Sequence, residues 1–343
     1  MQSADFPTFI LSRTDRLGDV ILTLPMAAIL KKRVPRARVI FLGRAYTRPL
    51  IEACSAVDAF LDWDELSRLD EKARIQTLRD LDAQAFIHVF PRREIAKAAR
   101  AAKIPLRVGT SHRLWHWMTC NRLVFFSRKN SKLHEAELNF KLLKPWNIPL
   151  PLREEIAASY ALTRVLPLSE NLKSLLKPGK IHLIFHPSGL GSAPLWPIPH
   201  YAALGRLLSE EKYQMIITGD EKSRETLQPL LKNLPGALNL VGQTTLSELL
   251  SLVDASDGMV VASTGPAHLA AAMGKRVFAL FSPRGALSPE RWGPLGPRVT
   301  VFKASQSCSE CGRGNCSCLG SISPETVFSA IEQAFKVRER PRS

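Results

Sequence analysis

Several short stretches of this chain combine residue types that handle anions and protons. Gly18-Asp19 follows an apolar run, Thr8 to Leu11, and opens a helical pattern from about Val20 to Arg33. A carboxylate there suits a helix N-cap. At the carboxyl end of a first parallel strand it also faces the crevice where such sheets take ligands, and both readings stay open. Ser263-Thr264-Gly265-Pro266 separates a buried strand ending near Ala262 from a small-residue helix, Ala267 to Met273, stopped by Gly274. A strand, a glycine turn and a helix N-terminus make an anion site, because first-turn N–H groups are unpaired and the helix dipole favours negative charge. Pro266 costs nothing in that first turn. His268, taken alone, reads as a packed or capping histidine. Ser188, Gly189, Gly191 and Ser192 form a donor-rich turn after a strand, suited to cradling phosphate.

Four cysteines, Cys308, Cys311, Cys316 and Cys318, lie within eleven residues as C-x2-C-x4-C-x-C. The first pair has zinc-ligand spacing, but the second pair is one residue apart instead of two. A structural zinc is one reading; free thiols or a redox-labile disulfide are the others. Cys54 and Cys120 stand apart as unpaired thiols.

The elements that must position these residues alternate strand and helix. Thr8–Leu11, a helix to Arg33 and Val39–Leu42 make a βαβ opening, the start of a parallel, doubly wound sheet. Further α/β units run to a helix at 133–144. The stretch SHRLWHWMTCNRLVFFSRK interleaves Trp115, Trp117, Phe125 and Phe126 with basic residues, which suits an interfacial or anionic-acceptor surface; a core helix with solvated basic residues is the other reading. A linker at 167–180 leads to a second series: strand Ile181–His186, helix 199–211, strand Gln214–Thr218, helix 222–233, strand Leu238–Leu240, a helix capped near Thr244 or Thr245, then the Ser263 turn. Two consecutive α/β halves imply two Rossmann-like domains facing one another across a cleft. The expected boundaries are 1–166, 167–322, and 323–343 as a C-terminal helix and tail that could pack back on the first domain.

A chain of 343 residues suits two such domains. With 45% hydrophobic and 23% charged residues it is an ordinary globular composition. No apolar run approaches the ~18 residues needed to span a bilayer. The first residues lack a basic flank and a small-residue cleavage site, so a cytoplasmic protein is expected. Net charge is +16, a balance that raises affinity for polyanions, anionic lipid or phosphorylated substrates. Nothing resembles a nucleic-acid recognition motif. In the basic N-terminal half, Arg16, Arg92, Arg93 and Arg113 are the candidate contacts to an anionic acceptor.

RTDRLGDVILTLP resembles the N-terminal signature of glycosyltransferase family 9, the lipopolysaccharide heptosyltransferases. LHEAELNFKLL resembles the family's mid-chain His-Glu helix, and HPSGLGS with the later Trp-Pro resembles the start of its nucleotide domain. GQTTLSELLSLVDASDGMVVASTGPAHLAAAMGKRVFALFSP resembles the core of that domain, and CSECGRGNCSCLGSISPETV the C-terminal segment. These matches run in family order from Arg13 to about Phe335.

The resemblance implies a GT-B fold whose C-terminal domain binds a nucleotide-diphosphate sugar and whose N-terminal domain binds the acceptor. It implies an inverting transfer of heptose or a related sugar, with ADP-heptose as donor and a lipopolysaccharide core glycolipid as acceptor. No metal is required for catalysis. By that likeness Asp19 is the general base, and a single displacement needs one base at acceptor distance. The Thr264-Gly265-Pro266 turn with His268 and the Ser188–Ser192 loop would meet the leaving diphosphate, and Glu221 the ribose. The enzyme would be a cytoplasmic monomer, peripheral at the anionic inner-membrane face. Two positions depart from the pattern: Ser263 stands where the family usually carries Asp, and Pro194 where it carries a phosphate-contacting Lys. Lys275 or Arg284 could replace that cation. A relative that binds a nucleotide sugar or glycolipid without transferring it is the alternative reading.

Overall fold

The computed structural model describes residues 7–129, 131–189, 194–306, 308 and 317–336. The chain divides into two compact units, Met1–Arg164 and Val165–Ser343. Among the described residues each unit carries one six-stranded parallel sheet.

In the first unit the strands are β1 (Thr8–Ser12), β2 (Arg38–Gly43), β3 (Ala59–Asp62), β4 (Ala85–His88), β5 (Leu106–Thr110) and β6 (Arg122–Val124). Their order is β3-β2-β1-β4-β5-β6. Every residue of β1 is buried, because helices cover both faces of a parallel sheet and its central strands run continuously apolar. Ser12 pairs with Leu42 on one side and His88 on the other. The winding reverses between β1 and β4, so the residues that follow these two strands share the crevice of the sheet.

The helix expected from Val20 to Arg33 is two helices, Leu17–Ile21 and Leu24–Arg33. Pro25 is the cause: it has no N–H for the Ile21 carbonyl, and its ring crowds that turn. Side chains stitch the break. Thr23 Oγ1 donates to the Asp19 carbonyl at 2.8 Å, and Asn139 donates to the Leu22 carbonyl at 3.1 Å. The helix expected at 133–144 is α-helical over Glu135–Phe140 and tightens to 3-10 geometry over Lys141–Trp146, which contains Pro145.

The second unit repeats the plan with β7 (Ile181–His186), β8 (Tyr213–Gly219), β9 (Leu238–Val241), β10 (Gly258–Ala262), β11 (Arg276–Phe281) and β12 (Val299–Lys303), in the order β12-β11-β10-β7-β8-β9. Its winding reverses between β7 and β10. Thr245 caps the Leu246–Ala255 helix: it accepts from the Glu248 N–H at 3.2 Å, and Glu248 accepts from the Thr245 N–H at 2.8 Å. The Pro324–Lys336 helix buries Val327, Ile331 and Phe335 in this unit's core, beside Tyr201, Leu204 and Tyr213. Tyr213 and Lys212 both bond Glu332, at 2.7 and 2.8 Å. No helix among the described residues is long and apolar enough to cross a membrane.

Candidate functional site

Directly after β1 the chain buries a guanidinium. Arg13 is 3% exposed, and its backbone N–H continues the sheet by donating to the Leu42 carbonyl at 3.0 Å. Its side chain enters a nest of carboxylates. Nε bonds Asp15 at 2.7 Å, Nη2 bonds Asp19, and Nη1 reaches Glu135 at 3.4 Å and Asn139 Oδ1 at 3.2 Å. Arg128 closes the far side by bonding Glu135 and, at 3.0 Å, Asn139 Oδ1. Asn139 Nδ2 also donates to Thr23 Oγ1 at 3.3 Å, which leads back to the Asp19 backbone. The His-Glu helix supplies two members of this network: Glu135 and Asn139 are one turn apart on one face. His134 caps that helix, its ring accepting from the Ala136 N–H at 3.2 Å.

Asp19 is therefore not the N-cap. Arg16 occupies that position, and Asp19 lies in the first turn of the Leu17–Ile21 helix with a side chain 16% exposed. Burial is the largest influence on its carboxyl and pushes it up to about 6, with Arg13 opposing and Asp15 and Glu135 adding to the rise. Burial also works against the charge of Arg13, but Asp15, Asp19 and Glu135 outweigh it, so the guanidinium is held more firmly protonated than usual. A fixed, partly accessible carboxylate with a pKa close to neutrality is a competent proton acceptor.

The expected acceptor contacts are spread along the same edge of the sheet. Arg16 is exposed beside Asp15. Arg92 follows β4, caps the Arg93–Ala101 helix and lies 5.9 Å over the Phe90 ring; Arg13 lies 6.0 Å over the same ring, which brings Arg92 to the cluster. Arg93 is exposed at the start of that helix. Arg113 follows β5 and lies over Trp115 at 5.7 Å. Arg13, Asp15, Arg128, Glu135 and Asn139 were not singled out from sequence. The available signal was a charged residue abutting an apolar strand and a carboxylate one residue into the His-Glu motif.

In the second unit the turns after β7 and β10 meet at the winding reversal. A Cβ on Gly189 would lie 3.1 Å from Thr264 Cγ2. The Ser188 hydroxyl is buried and engaged, donating to Asp220 at 3.3 Å and sharing a 2.7 Å hydrogen bond with Ser223. This fixes the loop after β7 to the turn after β8, a role for Asp220 and Ser223 that sequence reading missed. His186 beneath it bonds Thr218 at 2.9 Å and is driven down to about 4 by burial, so it stays neutral. Gly191 and Ser192 lie outside the described residues.

Thr264 caps the Gly265–Ala272 helix without a side-chain hydrogen bond to its first turn. The helix starts two residues earlier than expected, with Pro266 in that turn and His268 buried. Glu221 is exposed and held in a bidentate pair with Arg224, 2.7 Å on both arms, which lowers its pKa. Gly242, at φ 68°, packs against it: a Cβ there would lie 2.1 Å from Glu221 Oε2.

Of the two replacement cations, Lys275 is excluded by position. It precedes β11, at the amino end of the strands, and pairs with Asp254 at 3.3 Å. Arg284 follows β11 at the carboxyl edge and is exposed. Among the cysteines, Cys308 packs against the core and Cys318 is buried 3.8 Å from Ser282 Oγ. Cys311 and Cys316 lie outside the described residues.

The family profile for glycosyltransferase family 9 (heptosyltransferase) matches residues 94–321, which include the Glu135 helix and the described turns of the second unit. The chain belongs to glycosyltransferase family 9. Its similarity to individual members extends over more of the chain than the profile does. A Haemophilus influenzae protein named as a glycosyltransferase is 26% identical over 332 residues, covering 93% of this chain and 94% of its own length. Lipopolysaccharide heptosyltransferase 2 of Escherichia coli is 24% identical over 357 residues, with 92% and 94% covered. The solved structure of the E. coli ADP-heptose lipopolysaccharide heptosyltransferase II superposes with a TM-score of 0.76, at 22% identity and 97% and 100% coverage, and shows the GT-B fold. The family 9 chain is thus a glycosyltransferase enzyme, and the reading of a non-transferring binder is not favoured.

Proposed function

We propose that this family 9 enzyme moves a heptose from ADP-heptose onto a hydroxyl of a lipopolysaccharide core acceptor, with inversion at the anomeric carbon. The observation that carries the reading is the buried Arg13–Asp19–Glu135 cluster at the end of β1, which leaves one partly exposed carboxylate tuned toward neutrality. Likeness to lipopolysaccharide heptosyltransferase 2 and to the ADP-heptose enzyme supports the donor and acceptor classes.

In the proposed step the ionised Asp19 carboxylate takes the proton of the acceptor hydroxyl as its oxygen attacks the anomeric carbon. The bond from that carbon to the diphosphate oxygen breaks, and ADP leaves with the electron pair. Arg13 holds Asp19 in one rotamer and keeps part of its charge, so that the base is neither lost to protonation nor mobile. Phosphate charge that develops on ADP meets the first-turn N–H groups of the Gly265–Ala272 helix. Arg284 supplies the cation that Pro194 does not, and Glu221 bonds the ribose hydroxyls. Arg16 and Arg92, on the Asp19 side, engage acceptor phosphate. The enzyme acts as a monomer at the cytoplasmic face of the inner membrane.

The test is transfer from ADP-heptose to purified lipopolysaccharide core, with the anomeric configuration of the new bond read by NMR. Transfer with inversion is expected. Efficient transfer from a different nucleotide sugar and none from ADP-heptose would overturn the donor assignment; retention would overturn the single displacement.

A further inference from the structure

The stretch that interleaves aromatic and basic residues forms a surface. In the Leu114–Thr119 helix, His116 and Thr119 point inward and are buried, while Leu114, Trp117 and Met118 are exposed at 84, 57 and 61%. Positions i, i+3 and i+4 lie on one helical face, so this helix turns an apolar stripe to the outside. Phe125, just past the edge strand β6, is 74% exposed and stands edge-on to Trp117 with ring centroids 6.1 Å apart. The indole is fixed by its N–H donating to the Ser111 carbonyl at 2.9 Å.

Phe125 is also the rim of a groove of about 780 Å³ between β6 and the 3-10 segment. Phe140 and Leu150 give it apolar walls, and Arg122, Lys141 and Lys144 its only charges. None of these three cations forms an ion pair among the described residues. The surrounding stretch, residues 83–133, holds eleven Lys and Arg and one acid, Glu94. A face with exposed aromatic and aliphatic side chains beside unopposed cations matches a bilayer interface, where rings enter the headgroup boundary and lysine and arginine meet lipid phosphate.

We propose that the Leu114–Thr119 helix, Phe125 and the Arg122–Lys141–Lys144 groove dock this enzyme on an anionic phospholipid bilayer. This deepens the membrane contact suggested above by naming the surface that makes it, and it does not depend on the donor or on Asp19.

The experiment is flotation of the full chain with phosphatidylglycerol and with phosphatidylcholine vesicles, alongside transfer to a short, water-soluble core acceptor. Binding to phosphatidylglycerol that weakens with salt is expected, with little binding to phosphatidylcholine. Replacing Arg122, Lys141 and Lys144 together by Gln should weaken it about a hundredfold, and Trp117→Ser with Phe125→Ser at least about tenfold. Both variants should keep wild-type transfer to the soluble acceptor. Equal binding to both lipids, or unaltered binding by both variants, overturns the proposal. So does a wild-type dimer that the Trp117→Ser, Phe125→Ser variant dissociates without change in vesicle binding, which would assign the face to a second copy. Loss of transfer in the wild type with vesicle binding intact would instead count against the proposed reaction.

Discussion

Arg13 and Asp19 form a part-buried ion pair in which the same guanidinium also bonds Asp15 at 2.7 Å and reaches Glu135 at 3.4 Å. One cation thus orients a base on the surface side and neutralises a carboxylate that is 2% exposed on the inner side. Glu135 is paired there with both Arg13 and Arg128, and an unpaired buried charge would be costly.

Removing that cation should be expensive. Arg13→Met strips Asp19 and Glu135 of a shared partner, and loss of one member of a buried pair costs about 3–5 kcal/mol. For a unit of this size that is a fall in Tm of roughly 6–20 °C, to be read in a thermal melt. A milder change, Arg13→Lys, should keep most of the stability but lower kcat, since a point charge cannot bond Asp15, Asp19 and Asn139 at once.

The pH profile follows from Asp19. Its carboxyl is pushed up to about 6, and only the ionised form accepts a proton, so kcat/KM should fall tenfold per pH unit below about 6 and level off above it. Glu135 adds to the rise, so Glu135→Gln should move the acid limb to lower pH. The stability effect has the opposite sense. A folded-state pKa above the ordinary value means that Asp19 stabilises the fold most when protonated and loses that contribution as pH rises through about 6. Asp19→Asn should therefore be inactive yet melt no lower than wild type at pH 8.

Gly242 and Gly179 separate backbone strain from a clash. Both have positive φ, 68° and 78°, but a Cβ on Gly179 meets nothing within 4 Å, whereas on Gly242 it meets Glu221 Oε2 at 2.1 Å. Changing either to Ala should cost about 1–2 kcal/mol of stability. Only Gly242→Ala should also raise the Kd for ADP, by displacing Glu221. Calorimetry on both variants checks this.

The diphosphate cation is tested by a matched pair. Arg284→Ala should weaken ADP-heptose binding by about 1.5–3 kcal/mol, the size of a lost charged hydrogen bond. Lys275→Ala, at the opposite end of the strands and paired with Asp254, should leave it unchanged. Equal effects in steady-state KM would remove Arg284 from its proposed role.

Much of the framework was legible in the sequence. Both sheets follow from buried apolar runs separated by turns, and the Ser263–Pro266 turn follows from its glycine and proline. Burial patterns in parallel strands speak for themselves because both faces are covered. The break after Ile21 was also written there, in Pro25, but the nearly continuous apolar run from Val20 to Leu30 masked it. What the sequence could not disclose were partnerships across distance: Arg13 with Glu135 spans more than a hundred residues, and Ser188 with Asp220 more than thirty. A single sequence reports a residue's chemistry but not which folded neighbour satisfies it. For the same reason the Trp117 stretch read equally well as core or surface, and only its exposure decides.

The most direct test is Asp19→Ala, assayed for heptose transfer from ADP-heptose and, on the same protein, for ADP binding by calorimetry. Transfer should fall about a thousandfold or more while ADP binds as in the wild type. Transfer within a few-fold of wild type by a correctly folded Asp19→Ala enzyme would contradict the account.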